Sequence, residues 1–103
     1  MATATIHAGI CGFTTTVIAQ TDGDAIKLNI TSECDAIRKL GEHLSVLNPY
    51  HEISFRRAIP QTYQEAMKYC SHAACAVPAG IIKAIEVESG LALPADVSIQ
   101  LHK

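Results

Sequence analysis

Asp22-Gly23 lies between two segments whose apolar and polar residues alternate, and no other feature constrains the fold of this chain as tightly. Asp-Gly accepts the positive φ values of a tight hairpin, so the flanking segments are expected to run antiparallel and side by side. Upstream, Phe13 to Gln20 is rich in Thr, Val and Ile and reads as a strand. Downstream, Ile26, Leu28 and Ile30 are separated by Lys27 and Asn29, a strand with one wet face. Before the hairpin, Ala4, Ile6 and Ala8 alternate with Thr5 and His7, a further half-buried strand. Gly9-Ile10-Cys11-Gly12 then marks the turn that joins it to the second strand.

At Thr31-Ser32 the apolar period changes from two to about 3.6, which announces a helix. Ser32 is the expected N-cap, and Glu33 and Asp35 suit the positive end of the helix dipole. Cys34, Ile37, Leu40, Leu44 and Leu47 form its apolar stripe, and Asn48-Pro49 is read as its stop. Residues 50–59 are ambiguous, with Ile53 and Phe55 alternating in a short strand or extended linker. Thr62 and Glu65 make a capping box for a second helix with Tyr63, Ala66, Met67 and Cys70 on its apolar side. A third helix starts near Pro78, carries Ile81, Ile82 and Ile85, and ends at Gly90. After Pro94, Val97, Ile99 and Leu101 alternate with Ser98, Gln100 and His102, which reads as a last strand.

The expected architecture is therefore α+β over residues 1–103: a mostly antiparallel sheet of about four strands, in the order β-β-β-α-(β)-α-α-β, with three helices on one face. Thr5, His7, Lys27, Asn29, Ser98 and Gln100 should point to the open face. Ile6, Ile26, Leu28, Ile30, Ile37, Leu40, Leu44, Met67, Ile81, Ile85, Val97 and Ile99 should form the core. A chain of 103 residues supplies one domain with a core that needs no disulfides.

Composition narrows the partners. Only 17% of residues are charged while 49% are apolar, so some apolar surface is expected to be covered by a second copy or a larger protein. The net charge of -2, with Arg38-Lys39 and Arg56-Arg57 as the only adjacent basic pairs, argues against nucleic acid. No signal sequence is evident and no apolar run reaches the ~20 residues of a membrane span. A cytoplasmic setting is expected, in which thiols stay reduced.

Cys11, Cys34, Cys70 and Cys75 carry the functional expectation. If the first strand runs upward, Cys11 is at its top, and the third strand returns upward to Cys34. If the last strand also runs upward, the helix before it descends, which puts Cys75 and the nearby Cys70 at the same end. Four thiols there suit a zinc ion or an iron–sulfur cluster, with His72 as a further candidate ligand. Gly9 and Gly12 would let backbone N–H groups approach such a centre, and a helix N-terminus beside Cys75 favours its thiolate. Against this, no Cys-x-x-Cys is present, and Cys34 and Cys70 fall on apolar stripes where cysteine packs as a small hydrophobe. A third reading pairs His72 with Cys75 as base and nucleophile of an enzyme, but no orienting group or oxyanion site announces itself. His7, His43, His51 and His102 are expected in solvent, as are Glu86 and Glu88, whose spacing of two points them apart.

The stretch from Cys70 through Cys75 to Ile81, with Ile10-Cys11-Gly12-Phe13 upstream, resembles a family of short four-cysteine α+β domains of unknown function from anaerobic bacteria and archaea. The likeness covers most of the chain and implies an oxygen-poor setting in which an iron–sulfur site could persist. The resulting expectation is a small metal- or iron–sulfur-binding protein, an electron-transfer or accessory subunit; the alternatives are an interaction module with inert thiols and a Cys/His enzyme.

Overall fold

The computed structural model describes residues 1–103 and has the expected α+β architecture. β1 (Ala2–His7), β2 (Thr14–Asp22) and β3 (Ala25–Ser32) form an antiparallel meander, and β4 (Val46–Leu47) adds a short fourth strand beside β3. The β2–β3 hairpin pairs Asp22 with Ala25, so its loop is Gly23-Asp24. Gly23 takes φ +62°, the left-handed value that a hairpin of this length requires and that only glycine adopts cheaply.

Register explains why one face is dry. Ala2, Ala4 and Ile6 stand opposite Ala19, Val17 and Thr15, and those stand opposite Leu28, Ile30 and Ser32. Val17, Ala19, Ile26 and Leu28 are buried on this side, whereas Thr3, Thr5, His7, Lys27 and Asn29 alternate to the other face and are exposed. The helices cover the dry face. α1 (Asp35–Glu42) packs on β3 through Ile37 and Leu40, and α4 (Val77–Glu88) packs on β1 and β2 through Ile81, Ala84 and Ile85. α3 (Gln61–Tyr69) lies against both helices. No helix is long and apolar enough to cross a membrane.

Several expectations are corrected. The first helix stops at Glu42 instead of Leu47, and its apolar spacing is divided between two elements: Leu47 is buried from β4. Ser32 does not cap α1 as its N-cap residue; Cys34 holds that place, and the Ser32 hydroxyl accepts the Cys34 N–H. Asn48-Pro49 starts rather than stops a helix. The Asn48 side chain accepts the Tyr50 N–H and caps the single turn α2 (Pro49–Glu52), so no strand forms at Ile53–Phe55.

The largest departure is the end of the chain. Beyond Ala92 the backbone forms no strand and no backbone hydrogen bond, and Val97 and Ile99 are 64% and 74% exposed instead of core. Ser98 and Gln100 therefore belong to no sheet face. Met67 is also outside the core, because α3 buries Thr62 and Ala66, which places Met67 around the helix from the contact.

α4 descends along β1. Gly80, near its start, meets Ile6 near the end of β1, where an added Cβ would lie 2.3 Å from Ile6 Cδ1. At its far end the Glu88 carboxylate accepts the Thr21 N–H (2.9 Å) and hydroxyl (2.8 Å) and pairs with the Met1 ammonium (3.0 Å). Glu88 is thus a tie between helix and sheet, in place of the solvated residue its spacing suggested.

Candidate metal centre

The direction of α4 puts its N-terminus at the end of the sheet where β1 stops, β2 starts and β3 stops. Cys11 in the β1–β2 connection, Cys34 after β3 and Cys75 before α4 all belong to that end. The placement agrees with the sequence argument, although the last strand on which that argument leaned does not form.

Each thiol is positioned by identifiable local bonds. Ser32 Oγ shares a 2.8 Å hydrogen bond with Thr15 Oγ1 in the buried layer and accepts the Cys34 N–H at 3.1 Å, which fixes Cys34 at the start of α1. The Thr14 N–H donates to Glu33 Oε1 (3.2 Å), fastening the start of β2 to the same junction. Cys70 ends α3 with extended backbone, its N–H donating to the Ala66 carbonyl at 2.8 Å. Cys75 closes the 70–76 connection, its N–H directed at the His72 carbonyl at 3.4 Å. Cys11 is held in a turn in which the Gly12 N–H donates to the Gly9 carbonyl and the Ala8 N–H to the Phe13 carbonyl.

Cys34, Cys70 and Cys75 are half-buried against the core, and all four cysteines are free. Burial pushes the Cys70 thiol above its ordinary value, and negative charge on Cys75 and then Cys34 pushes it further in the same direction. Cys11 is exposed and absent from this group, and His72 is exposed as well. No set of three or more His, Cys, Asp or Glu side chains is arranged to grip a metal ion. Cys70 senses the charge of Cys75 and Cys34, and no coordination shell is formed.

Two polar arrangements, one at each end of α3, escape the sequence. His43 Nδ1 is 2.9 Å from the Lys39 carbonyl, which can only accept, so Nδ1 carries the hydrogen; Nε2 of the neutral ring then accepts the Tyr69 hydroxyl at 3.1 Å. The rings stack with centroids 4.6 Å apart, tying the end of α1 to the end of α3 one residue before Cys70. The second is Glu52, 2% exposed. Its carboxylate accepts the Gln61 N–H (3.0 Å), the Thr62 N–H (2.8 Å) and the Thr62 hydroxyl (2.6 Å), capping α3 from another helix. The expected Thr62–Glu65 box is replaced by this cap, since the Thr62 hydroxyl is engaged elsewhere. Neither residue has a local signal, because each partner is distant in sequence.

Grooves of about 200 Å³ (Phe55, Tyr63, Ile82, Lys83, Glu86) and about 390 Å³ (His51, Arg57, Gln64, Glu65) flank α3, and no cysteine lines either one. A family model described as a family of unknown function (DUF6951) matches residues 2–101. No curated protein and no solved structure matches the chain.

Proposed function

The chain belongs to DUF6951, a family of unknown function, and from its geometry we propose a thiolate metal protein in which Cys34, Cys70 and Cys75 hold zinc or an iron–sulfur cluster. Cys11 completes the set from the turn between Gly9 and Gly12. The observation that supports this reading is that Cys34, Cys70 and Cys75, all free, are half-buried against the same core, with the charge of Cys75 and Cys34 felt at Cys70. Grouped thiolates repel one another, and a bound cation converts that repulsion into attraction. Cys34 is the N-cap residue of α1 and Cys75 stands just before α4, beside the positive ends of two helix dipoles. Sulfur ligands select zinc or iron–sulfur over hard cations. Four protein ligands leave no open position for substrate, so the role is electron transfer or structural support of a partner protein.

Anaerobic purification followed by elemental analysis and visible spectroscopy tests the proposal. Iron with a visible charge-transfer band indicates a cluster, and stoichiometric zinc alone indicates a structural site. Loss of the metal in Cys34→Ser, Cys70→Ser and Cys75→Ser is expected. Reduced protein that carries no metal and takes up neither zinc nor a reconstituted cluster would overturn it.

A second reading is favoured by the absence of a formed coordination shell and by the packing of the same three cysteines on the core. In it the domain is an interaction module whose thiols are inert fillers, and metal-free protein that loses only packing stability after the three substitutions, with no dependence on added metal, is the expected result.

A further inference from the structure

The segment after Ala92 is strand-like in sequence, yet in the structure it pairs with nothing in its own chain. The Leu91 and Ala92 N–H groups donate to the Glu86 carbonyl, and beyond them residues 93–103 make no backbone hydrogen bond. All thirteen residues 91–103 are exposed, including Leu93 at 88% and Leu101 at 87%. Apolar side chains occupy alternate positions, Val97, Ile99 and Leu101, with Ser98, Gln100 and His102 between them. A period of two is wasted on a solvated tail, because it sorts side chains to two faces that only a sheet possesses.

The sheet has an open place of matching chemistry. β1 is an edge strand that pairs only with β2, so the N–H and C=O groups on its outer side have no partner. Ala2-Thr3-Ala4-Thr5-Ile6-His7 contains no Lys, Arg, Asp, Glu or Pro, so it lacks the usual protection of a strand edge. Ala4 and Ile6 on its inner side are only half-buried. Seated beside β1, the tail would lay Val97, Ile99 and Leu101 next to Ala2, Ala4 and Ile6. Ser98, Gln100 and His102 would then join Thr3, Thr5 and His7 on the open face. The six residues 97–102 also match β1 in length.

We propose that residues 97–102 add as a fifth strand to the β1 edge of a second copy of this chain, and that the exchange is reciprocal and makes a two-fold dimer. A second copy is the occupant favoured here because the tail leaves its own domain unbonded, while every copy offers one such strand and one such edge. The scarcity of charge is consistent with a surface covered in this way. The inference is independent of the cysteines, which lie at the opposite end of β1 from the point where α4 hands over to the tail.

Light scattering on the full chain at micromolar concentration, with hydrogen exchange on the same sample, tests it. The expected mass is twice the 11.0 kDa of one chain, with the amides of residues 97–101 and the outward amides of β1 protected. Ile99→Pro and the double variant Val97→Asp/Ile99→Asp should halve the mass and release that protection while the circular dichroism of the domain is retained, since the altered residues lie outside the core. A monomeric full chain overturns the proposal, whether the tail is then unprotected or is protected by folding onto its own β1. A dimer that survives Ile99→Pro overturns it as well.

Discussion

Gly80 approaches Ile6 so closely that a methyl group on it would lie 2.3 Å from Ile6 Cδ1 and 2.7 Å from Cγ1, although Ile6 Cβ, at 3.8 Å, leaves ordinary room. The absent side chain lets α4 sit down on β1. In an exposed helix, Gly→Ala would gain about 0.5–1 kcal/mol from backbone entropy. Here overpacking of about 1–3 kcal/mol opposes that gain, so Gly80→Ala is expected to lower stability. In an Ile6→Ala background the clash disappears, and the same change should raise stability. Chemical denaturation of the four proteins reads this reversal of sign directly.

Glu52 should prove the most sensitive polar residue. Glu52→Ala leaves two N–H groups and one hydroxyl near the start of α3 without their acceptor. A loss of about 3 kcal/mol is expected from unsatisfied buried donors. Glu52→Gln keeps one carbonyl oxygen and should lose about half as much. Urea midpoints compare the two variants.

Glu88 predicts the acid limb of stability. Hydrogen bonds from the Thr21 hydroxyl, the Met1 ammonium and the Thr21 N–H, in that order of importance, hold its carboxyl down to about 2, below the ordinary 4.5. A depressed carboxyl contributes stability that is fully present above the unfolded value and is lost as pH falls through the folded one. Wild-type stability should therefore decline between pH 4.5 and about 2, and Glu88→Gln should flatten that part of the profile. At neutral pH the variant should be about 1 kcal/mol less stable, since the contact is at the surface.

The thiols should differ in reactivity in metal-free, reduced protein. Alkylation resolved by mass spectrometry is expected to modify the exposed Cys11 first and Cys70 last, because burial and its neighbours disfavour the Cys70 thiolate. Cys75→Ser should accelerate Cys70 more than Cys34→Ser does, following the order of their influence. Equal rates at all four positions would contradict the burial of Cys70 and the influence of Cys75 and Cys34 on it.

The parts of the fold legible in the sequence are those whose causes are local. The glycine of the hairpin, the change of period after Thr31, Pro78 at the head of α4 and Gly90 (φ +75°) beyond its end each act within a few residues. The alternation at Val97–Leu101 shows that the segment can be a strand, but alternation carries no information about which edge would receive it. Leu44 and Leu47 looked like one helical stripe because a helix followed by a short strand can bury the same spacing. That Cys11 and Cys34 share one end was legible from strand directions, whereas Cys75 reaches that end through the direction of α4 and not through the expected last strand. Which thiols pack on the core was not legible, because that depends on how the 70–76 connection packs. Glu52 and Glu88 were silent because their partners lie 10 and 67 residues away.

The hydroxyl pair Thr15–Ser32 has a consequence for folding fidelity. A meander of small and aliphatic residues has few ways to tell one alignment from another, and sliding β3 by two residues keeps every apolar side chain on the same face. In the native alignment Thr15 stands opposite Ser32, and each satisfies the other within the dry layer. A two-residue slip would set Thr15 against Ile30 and strand a hydroxyl in hydrocarbon, at a cost of about 1–3 kcal/mol. The pair acts as a lock that only one alignment opens, and a Thr15→Val/Ser32→Ala protein would keep its oil and lose its proofreading.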